Sequence, residues 1–241
     1  MNGTLALAMA EIRRLRRNRR YLILTIGFPV ILYLLVGKNT STAYGVSFKA
    51  FYMVSMATFG ALSGAFNNNT IRISQEKKEG WIRQLRLTPL PANAYVVAKL
   101  IASMVTSVPA IAIVFILGSA YGGVTMPIWK WIVIGVAIWF GTFIFAALAV
   151  AIGYRVNPDS VQPIALVVYF FFSIFGGLWF PLNGGLKKFG EFTPTYQVVK
   201  ISTDVLGTGS VAIVNVIGII AWFLIFLGLA VLAVRATAET M

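Results

Sequence analysis

Side chains that could carry out covalent chemistry are scarce in this chain, which has no cysteine and no histidine. Disulfides, Cys/His zinc sites and the usual Ser-His or Cys-His nucleophile pairs are therefore excluded. The 7 acidic residues lie in termini, loops and the edges of apolar blocks: Glu11, Glu76, Glu79, Asp159, Glu191, Asp204 and Glu239. We expect no catalytic residue, no cofactor site and no metal site in this chain.

The richest polar segment, Gln75–Pro91, combines acidic, basic and apolar residues at helical spacing. One face of a predicted helix 76–88 carries Trp81, Ile82, Leu85 and Thr88, and another carries Glu79, Arg83 and Arg86. Pro89 and Pro91 end the helix, because a residue before proline is disfavoured in the α region. Such an amphipathic helix can dock into a groove on a soluble partner or rest on the lipid interface. Periodicity alone leaves both interpretations open.

Apolar blocks make up most of the remaining sequence. The chain of 241 residues is 59% hydrophobic and 11% charged, whereas soluble domains are about 25% charged. Blocks of roughly 20 apolar residues predict membrane-spanning helices, and their continuity excludes the alternating pattern of a β-barrel. Six spans are predicted at about 21–37, 50–72, 95–120, 129–153, 161–181 and 211–234. The sequence thus predicts one all-α polytopic membrane domain over residues 1–241.

Basic residues between the spans predict the orientation. Fourteen of the 20 Lys and Arg fall on the side that holds both termini, and short cytoplasmic loops carry the excess of positive charge. Both termini are therefore predicted to be cytoplasmic. This distribution accounts for the net charge of +13 without nucleic acid as a partner.

The N-terminal segment 4–20 alternates small apolar residues with Glu11 and six arginines. This pattern favours an amphipathic helix in the cytoplasmic interface, and a plain basic tail that sets topology is the alternative. A cleaved signal peptide is disfavoured, because five further spans follow and removal of the first would disturb the even topology.

Two groups of residues resemble a known family. Glu76-x-x-Glu79-Gly80 followed by Leu85-x-Leu-Thr88-Pro89-Leu is similar to the cytoplasmic loop of the membrane subunits of type-2 ABC exporters, the daunorubicin-resistance-type drug permeases. Phe175–Leu182 and Thr193–Tyr196 resemble the fifth-span exit and the stretch before the last span of the same family. The chain departs from the family at 183–188, where Asn-Gly-Gly-Leu-Lys-Lys replaces a frequent proline.

The resemblance implies a permease dimer, of identical or homologous subunits, that binds two copies of a separate ATPase subunit in the cell membrane. ATP and magnesium are expected in that ATPase, and the P-loop pattern Gly-x-x-x-x-Gly-Lys-[Ser/Thr] does not occur in this chain. Segment 76–88 becomes the coupling helix, which contacts the ATPase. The contact residues implied are Glu76, Glu79, Gly80, Trp81, Ile82, Arg83, Leu85, Thr88 and Pro89.

Segment 176–200 is implied to form a re-entrant outer gate before the last span, and an ordinary periplasmic loop is the alternative. The gate residues are Gly176, Gly177, Trp179, Phe180, Pro181, Pro194 and Tyr196. Asn67, Asn68, Phe172 and Phe175 are candidates to line the path. Interfacial asparagines and lipid-facing phenylalanines are the alternatives for these four.

The function expected is a permease subunit without enzyme activity, which exports a hydrophobic drug-like compound or a lipid as in multidrug efflux. Export of polysaccharide or peptide on the same scaffold is an alternative. An ion-coupled secondary transporter is disfavoured, because it needs carboxylates within the spans and the acidic residues lie at span edges or beyond.

Overall fold

The computed structural model describes residues 3–17, 19–37, 39, 41–88, 90 and 94–239. This part of the chain is helical apart from turns, short connections and one hairpin of two short strands, β1 (Thr42–Ala43) and β2 (Val46–Ser47). The helices are α1 (Gly3–Arg17), α2 (Arg19–Val36), α3 (Phe48–Ser63), α4 (Asn69–Lys78), α5 (Trp81–Arg86), α6 (Ala94–Ala120), α7 (Ile128–Arg155), α8 (Pro158–Phe175), α9 (Gly184–Gly190), α10 (Pro194–Gly207) and α11 (Ile213–Glu239). The prediction of an all-α membrane protein is confirmed.

Four helices in the described part are long and apolar enough to cross a membrane. They lie in α6, α7, α8 and α11, at the positions of the last four predicted spans. The first predicted span falls on α2, where Thr25–Val36 forms a shorter apolar stretch. The second falls on α3, the π-helical turn Gly64–Asn68 and the first residues of α4. Six spans therefore remain a prediction.

Helix α3 forms the centre of the molecule. Every residue from Ala50 to Leu62 is buried, and the helices packed around it are α2, α6, α7 and α10. The helix begins at a hydrogen bond in which the Ser47 side chain accepts from the Ala50 amide, as an N-cap does. It continues into a π-helical turn, Gly64–Asn68, and then into α4.

The fifth predicted span, 161–181, ends earlier than expected. Helix α8 stops at Phe175 because Gly177 adopts a φ of +73°, a left-handed conformation that glycine takes without steric cost. The segment that follows holds α9 and α10, and α10 packs against α7 and α11. Whether this segment dips into a bilayer stays a prediction.

The predicted single helix 76–88 is interrupted. Glu76 to Lys78 close α4, a turn follows at Glu79–Gly80, and α5 covers only Trp81–Arg86. Gly80 has a φ of +74°, so the chain changes direction there instead of continuing the helix. The amphipathic segment is therefore the end of a long helix joined to a short one. The predicted interfacial helix 4–20 falls on α1 and the first residues of α2.

We expect a single cysteine at Lys188 to be labelled by an impermeant thiol reagent in intact cells, and one at Lys78 to be labelled only after permeabilisation. Lys188 lies exposed in α9, and the Lys78 side chain at the end of α4 is 64% exposed. Access to either thiol then depends on the side of the membrane. The natural chain has no cysteine to compete. The reverse labelling pattern would overturn the orientation.

Candidate functional site

A group of charged side chains joins α1, α4 and α6, and we call it the ion cluster. Its members are Glu11 and Arg14 of α1, Arg72 and Glu76 of α4, and Tyr95 and Lys99 of α6. These residues are up to 88 positions apart in sequence. The ion cluster therefore ties three separate segments together at one end of the molecule.

Two carboxylates share two cations at its centre. The Lys99 Nζ atom lies 3.0 Å from Glu11 Oε1 and 2.8 Å from Glu76 Oε2. The Arg72 Nη2 atom lies 2.6 Å from Glu11 Oε2 and 3.2 Å from Glu76 Oε1. Each carboxylate thus bridges both cations, and the four charges sum to zero.

These four groups are largely removed from water. Lys99 is 1% exposed and Glu76 is 3% exposed. Burial of a charge costs several kcal/mol unless partners compensate it, and loss of one partner from a buried pair typically costs about 3–5 kcal/mol. The Tyr95 hydroxyl donates a further hydrogen bond of 2.5 Å to Glu76 Oε2. Arg14, whose side chain is 63% exposed, covers Glu76 Oε1 from the solvent side at 3.1 Å.

The environment of Glu76 favours its charged form. Burial by itself raises the pKa of a carboxyl group, but the Lys99 charge, the hydrogen bonds from Lys99 and Tyr95, and Arg72 together lower the pKa of Glu76 below its ordinary value. A lowered pKa in the folded state contributes stability that is present above the unfolded pKa. That contribution is lost as the pH falls through the lowered pKa.

Helix α4 is also fixed to the far end of α7. The Ser74 hydroxyl donates to the Val156 carbonyl and the Lys77 ammonium donates to the Tyr154 carbonyl, both at 2.6 Å. Ile73 packs against Gly153 so closely that an added Cβ there would lie 2.8 Å from the Ile73 Cβ. A displacement of α4 would therefore move the end of α7 as well.

Beneath α5 lies a small apolar core. Ile82 is 3% exposed and packs in it with residues of α4, α6, α7 and α11. Leu85 is partly buried against the same core. The inward side of α5 therefore packs against α4 and belongs to a core to which four other helices contribute.

The residues predicted to contact the ATPase fall into an exposed group and a buried group. Trp81 is 40% exposed, and Glu79, Arg83 and Thr88 are exposed with it. Ile82 points inward, so it cannot fill a groove on another protein as predicted. Glu76 is buried in the ion cluster, because its carboxylate neutralises Lys99 and Arg72.

Gly80 and Leu87 lie at the two ends of α5. Gly80 is favoured at its position by the positive φ of the turn, and an added Cβ would meet no described atom of this chain within 4 Å. Leu87, directly after α5, is 86% exposed, and sequence reasoning did not assign it to the contact. Pro89 lies outside the described residues.

The candidate path residues of the second predicted span lie in the π-helical turn. Asn67 and Asn68 are half-buried, and Asn67 Oδ1 and Asn68 Nδ2 have no hydrogen-bond partner among the described residues. The neighbouring Asn69 is buried and donates to the Ala65 carbonyl and to the Ser103 hydroxyl of α6. A π-helical turn often marks a functional position in a helix, and here it leaves two amide groups unsatisfied.

The candidate path phenylalanines are packed against other rings. The Phe172 ring lies 5.3 Å from Phe145, and it also contacts Trp222 and Phe226 of α11. Phe175 lies 4.9 Å from the Phe189 ring of α9. Both are therefore partly shielded within this chain.

The predicted outer-gate residues gather around one turn. After α8 ends, the Leu182 amide donates to the Tyr44 hydroxyl at 2.6 Å, which ties the turn to the β1–β2 hairpin. Gly176 packs directly on Thr195 of α10, leaving no room for a Cβ. The gate segment is thus fixed by contacts to two other parts of the chain.

The aromatic gate residues differ in their surroundings. Trp179 is half-buried, 5.4 Å from the Phe59 ring, and its Nε1 has no partner among the described residues. Phe180 is 45% exposed. Pro181 is half-buried, and Pro194 and Tyr196 are buried in the first turn of α10.

Sequence reasoning missed most of the ion cluster. The i, i+4 spacing of Arg72 and Glu76 is a usable signal for one pair. Lys99 lies at the edge of an apolar block, and a charge where a span begins is its only signal. Tyr95 at the same edge carries no such signal. Nothing local connects Glu11 to partners 61 and 88 positions away.

The sequence is similar to a transporter family and to one permease-like protein over most of its length. Residues 37–234 match the family described as "ABC-2 family transporter protein". The chain is 27% identical over 232 residues to the protein named "Putative transport permease YvfS" of Bacillus subtilis (strain 168). That alignment covers 94% of this chain and 95% of the relative.

We expect Glu76→Gln to lower the thermal unfolding midpoint clearly, because it leaves Lys99 and Arg72 with one carboxylate between them. The loss should be about 3 kcal/mol, as for a broken buried ion pair. Scanning fluorimetry of the purified protein in detergent measures it. Glu79→Gln, which changes an exposed carboxylate, is the matched control.

A double variant tests whether the unmatched charge, and not lost packing, causes the loss of stability. Adding Lys99→Met to Glu76→Gln removes the surplus cation, so the double variant should regain part of the lost stability. Equal midpoints for Glu76→Gln and Glu79→Gln would contradict the assigned role of the ion cluster.

Proposed function

The chain belongs to the ABC-2 family of transporter proteins, and on that premise we propose that it is the membrane subunit of an ATP-driven exporter. A separate ATPase subunit binds and hydrolyses ATP with magnesium. Two copies of that ATPase act on two permease subunits in the cell membrane, and this chain itself carries out no covalent chemistry. The family match and the full-length likeness to a transport permease support this proposal.

The ion cluster is the observation on which the coupling mechanism depends. It joins α4, which leads into the exposed segment around α5, to α1 and to the spanning helix α6. The four buried charges at its centre sum to zero and have one favourable arrangement, because any separation of them exposes an uncompensated charge to a low dielectric. The three helix ends should therefore move as one body.

The ATPase contact is the exposed side of α5 and its flanking turns. Trp81 and Leu87 supply apolar area, at 40% and 86% exposure. Glu79, Arg83 and Thr88 are exposed in the same segment and supply the polar rim residues. An aromatic centre with a polar rim is the usual composition of a protein interface.

Motion passes from α5 to the spans through its buried side. Ile82 belongs to the apolar core built by the ends of α4, α6, α7 and α11, and α4 is hydrogen-bonded to the end of α7. A push on α5 therefore displaces packed helix ends together, as in a rigid-body switch. The substrate path opens when two permease subunits move apart or tilt.

The outer turn that follows α8 serves as the exit gate. Its backbone leaves helical geometry at Gly177 and is held by Tyr44 and by the first turn of α10. Non-helical backbone near a membrane needs such internal partners. The aromatic surroundings of this turn suit a hydrophobic drug-like compound or a lipid as substrate.

We expect Trp81→Ala to weaken binding of the partner ATPase. Truncation of a central aromatic residue typically costs about 2 kcal/mol, or about 30-fold in Kd. Surface plasmon resonance with the permease in nanodiscs measures the affinity. Trp129→Ala removes an equally exposed tryptophan, 44% exposed, from the opposite end of the molecule and should leave the Kd unchanged. Equal affinities for the two variants would show that α5 only rests on the lipid.

We expect Tyr44→Phe to reduce transport while ATPase binding stays normal. The Leu182 amide loses its acceptor, and a buried donor left unsatisfied costs about 1–3 kcal/mol. Substrate accumulation in inverted vesicles and ATPase affinity are measured on the same preparation. Unimpaired transport by this variant would argue that the turn is an ordinary loop.

A further inference from the structure

A pocket of about 470 Å³ lies between three connecting segments at the end of the molecule opposite the ion cluster. We call it the outer pocket. Its walls are the β2 strand with the start of α3, the loop 123–127 with the start of α7, and the end of α10. The predicted topology places all three segments on the outer side of the membrane. The volume is in the range of small-ligand sites, about 300–1,000 Å³.

The charge of the outer pocket is positive. Lys49 and Lys130 line it, and its lining includes no carboxylate. Within the described part of the chain, neither lysine forms an ion pair. The other outer lysine near this region, Lys200, is paired with Asp204 instead. Two cations without a counter-charge therefore face one cavity.

Two contacts hold the Lys130 ammonium group in position. Its Nζ atom donates to the Leu206 carbonyl at 2.8 Å and lies 5.6 Å from the centre of the Trp129 ring. One N–H group is used in the first contact, and an ammonium group has three. The remaining donors are available to an anion at a position fixed by the protein.

The dipoles of two helices add to the positive potential of the outer pocket. The first turns of α3 and α7 both line the outer pocket, and these helices have 16 and 28 residues. Helix N-termini carry partial positive charge and favour phosphate-sized anions. No described side chain caps the first turn of α7, where Pro127 occupies the cap position.

We propose that the outer pocket binds the phosphate group of an anionic ligand. The shared chemistry is a phosphate ester, which belongs to an outer-leaflet phospholipid or to a soluble phosphorylated compound. Lysine is a common phosphate ligand that acts as a point charge. The pocket is far from α5 and requires no ATPase, so this proposal stands or fails independently of the proposed coupling.

The experiment uses the purified permease in two arms. In the lipid arm, native mass spectrometry compares retention of phosphatidylglycerol with that of zwitterionic phosphatidylcholine. In the soluble arm, isothermal titration calorimetry in phosphatidylcholine nanodiscs measures binding of glycerol 1-phosphate. Preferential retention of phosphatidylglycerol assigns the pocket to a lipid, and saturable binding of glycerol 1-phosphate assigns it to a soluble ligand.

Variants decide whether the pocket is responsible. Lys49→Gln with Lys130→Gln should weaken the observed binding by about tenfold or more, since two cations near the phosphate are removed. Lys49→Gln alone keeps the Lys130 bond to Leu206 and should give a smaller loss in a stably folded protein. Lys188→Gln changes an exposed lysine on α9 and should have no effect. Binding in neither arm, or equal loss in the Lys188 control, would overturn the proposal.

Discussion

Four charges held away from water set the architecture of the end of the molecule that carries α1, α4 and α5. Glu11, Arg72, Glu76 and Lys99 can be buried only because each carboxylate contacts both cations. The requirement is strict, since a single unmatched charge at low dielectric costs several kcal/mol. Because the four groups come from α1, α4 and α6, their neutralisation fixes the relative positions of three helices.

The arrangement of the segment after α4 follows from that constraint. With α4 fixed, Gly80 lets the chain turn and lay α5 across the helix ends. Ile82 is then directed into the small apolar core, and Trp81 is directed outward. A partner that binds the outward side of α5 would act on a helix whose inward side belongs to a core shared with four other helices.

Prediction from sequence succeeded where the physics is local or additive. Long apolar blocks gave the positions of α6, α7, α8 and α11, because hydrophobic length is a property of the sequence itself. The end of α8 was placed too late, since Phe180 and Pro181 extend the apolar run although Gly177 already reverses the backbone.

The candidate site was predicted only in outline. The segment around Trp81 was found from its helical spacing, but the inward orientation of Ile82 depends on packing with Tyr95, Tyr154 and other distant residues. Glu76 was assigned to the surface for the same reason: its partners Arg14, Tyr95 and Lys99 lie in other segments, and their proximity follows from the tertiary fold.

The central claim, that the ion cluster makes α1 and α4 one rigid unit, can be tested by distances between paired spin labels. Cysteines at Ala10 of α1 and Lys78 of α4, both exposed, are labelled in the complex with the partner ATPase. Double electron–electron resonance compares the nucleotide-free and vanadate-trapped states, and a second pair joins Lys78 to Asn183 at the outer end. The account predicts an unchanged Ala10–Lys78 distance while the Lys78–Asn183 distance shifts. A change in the Ala10–Lys78 distance as large as that of the second pair would contradict it.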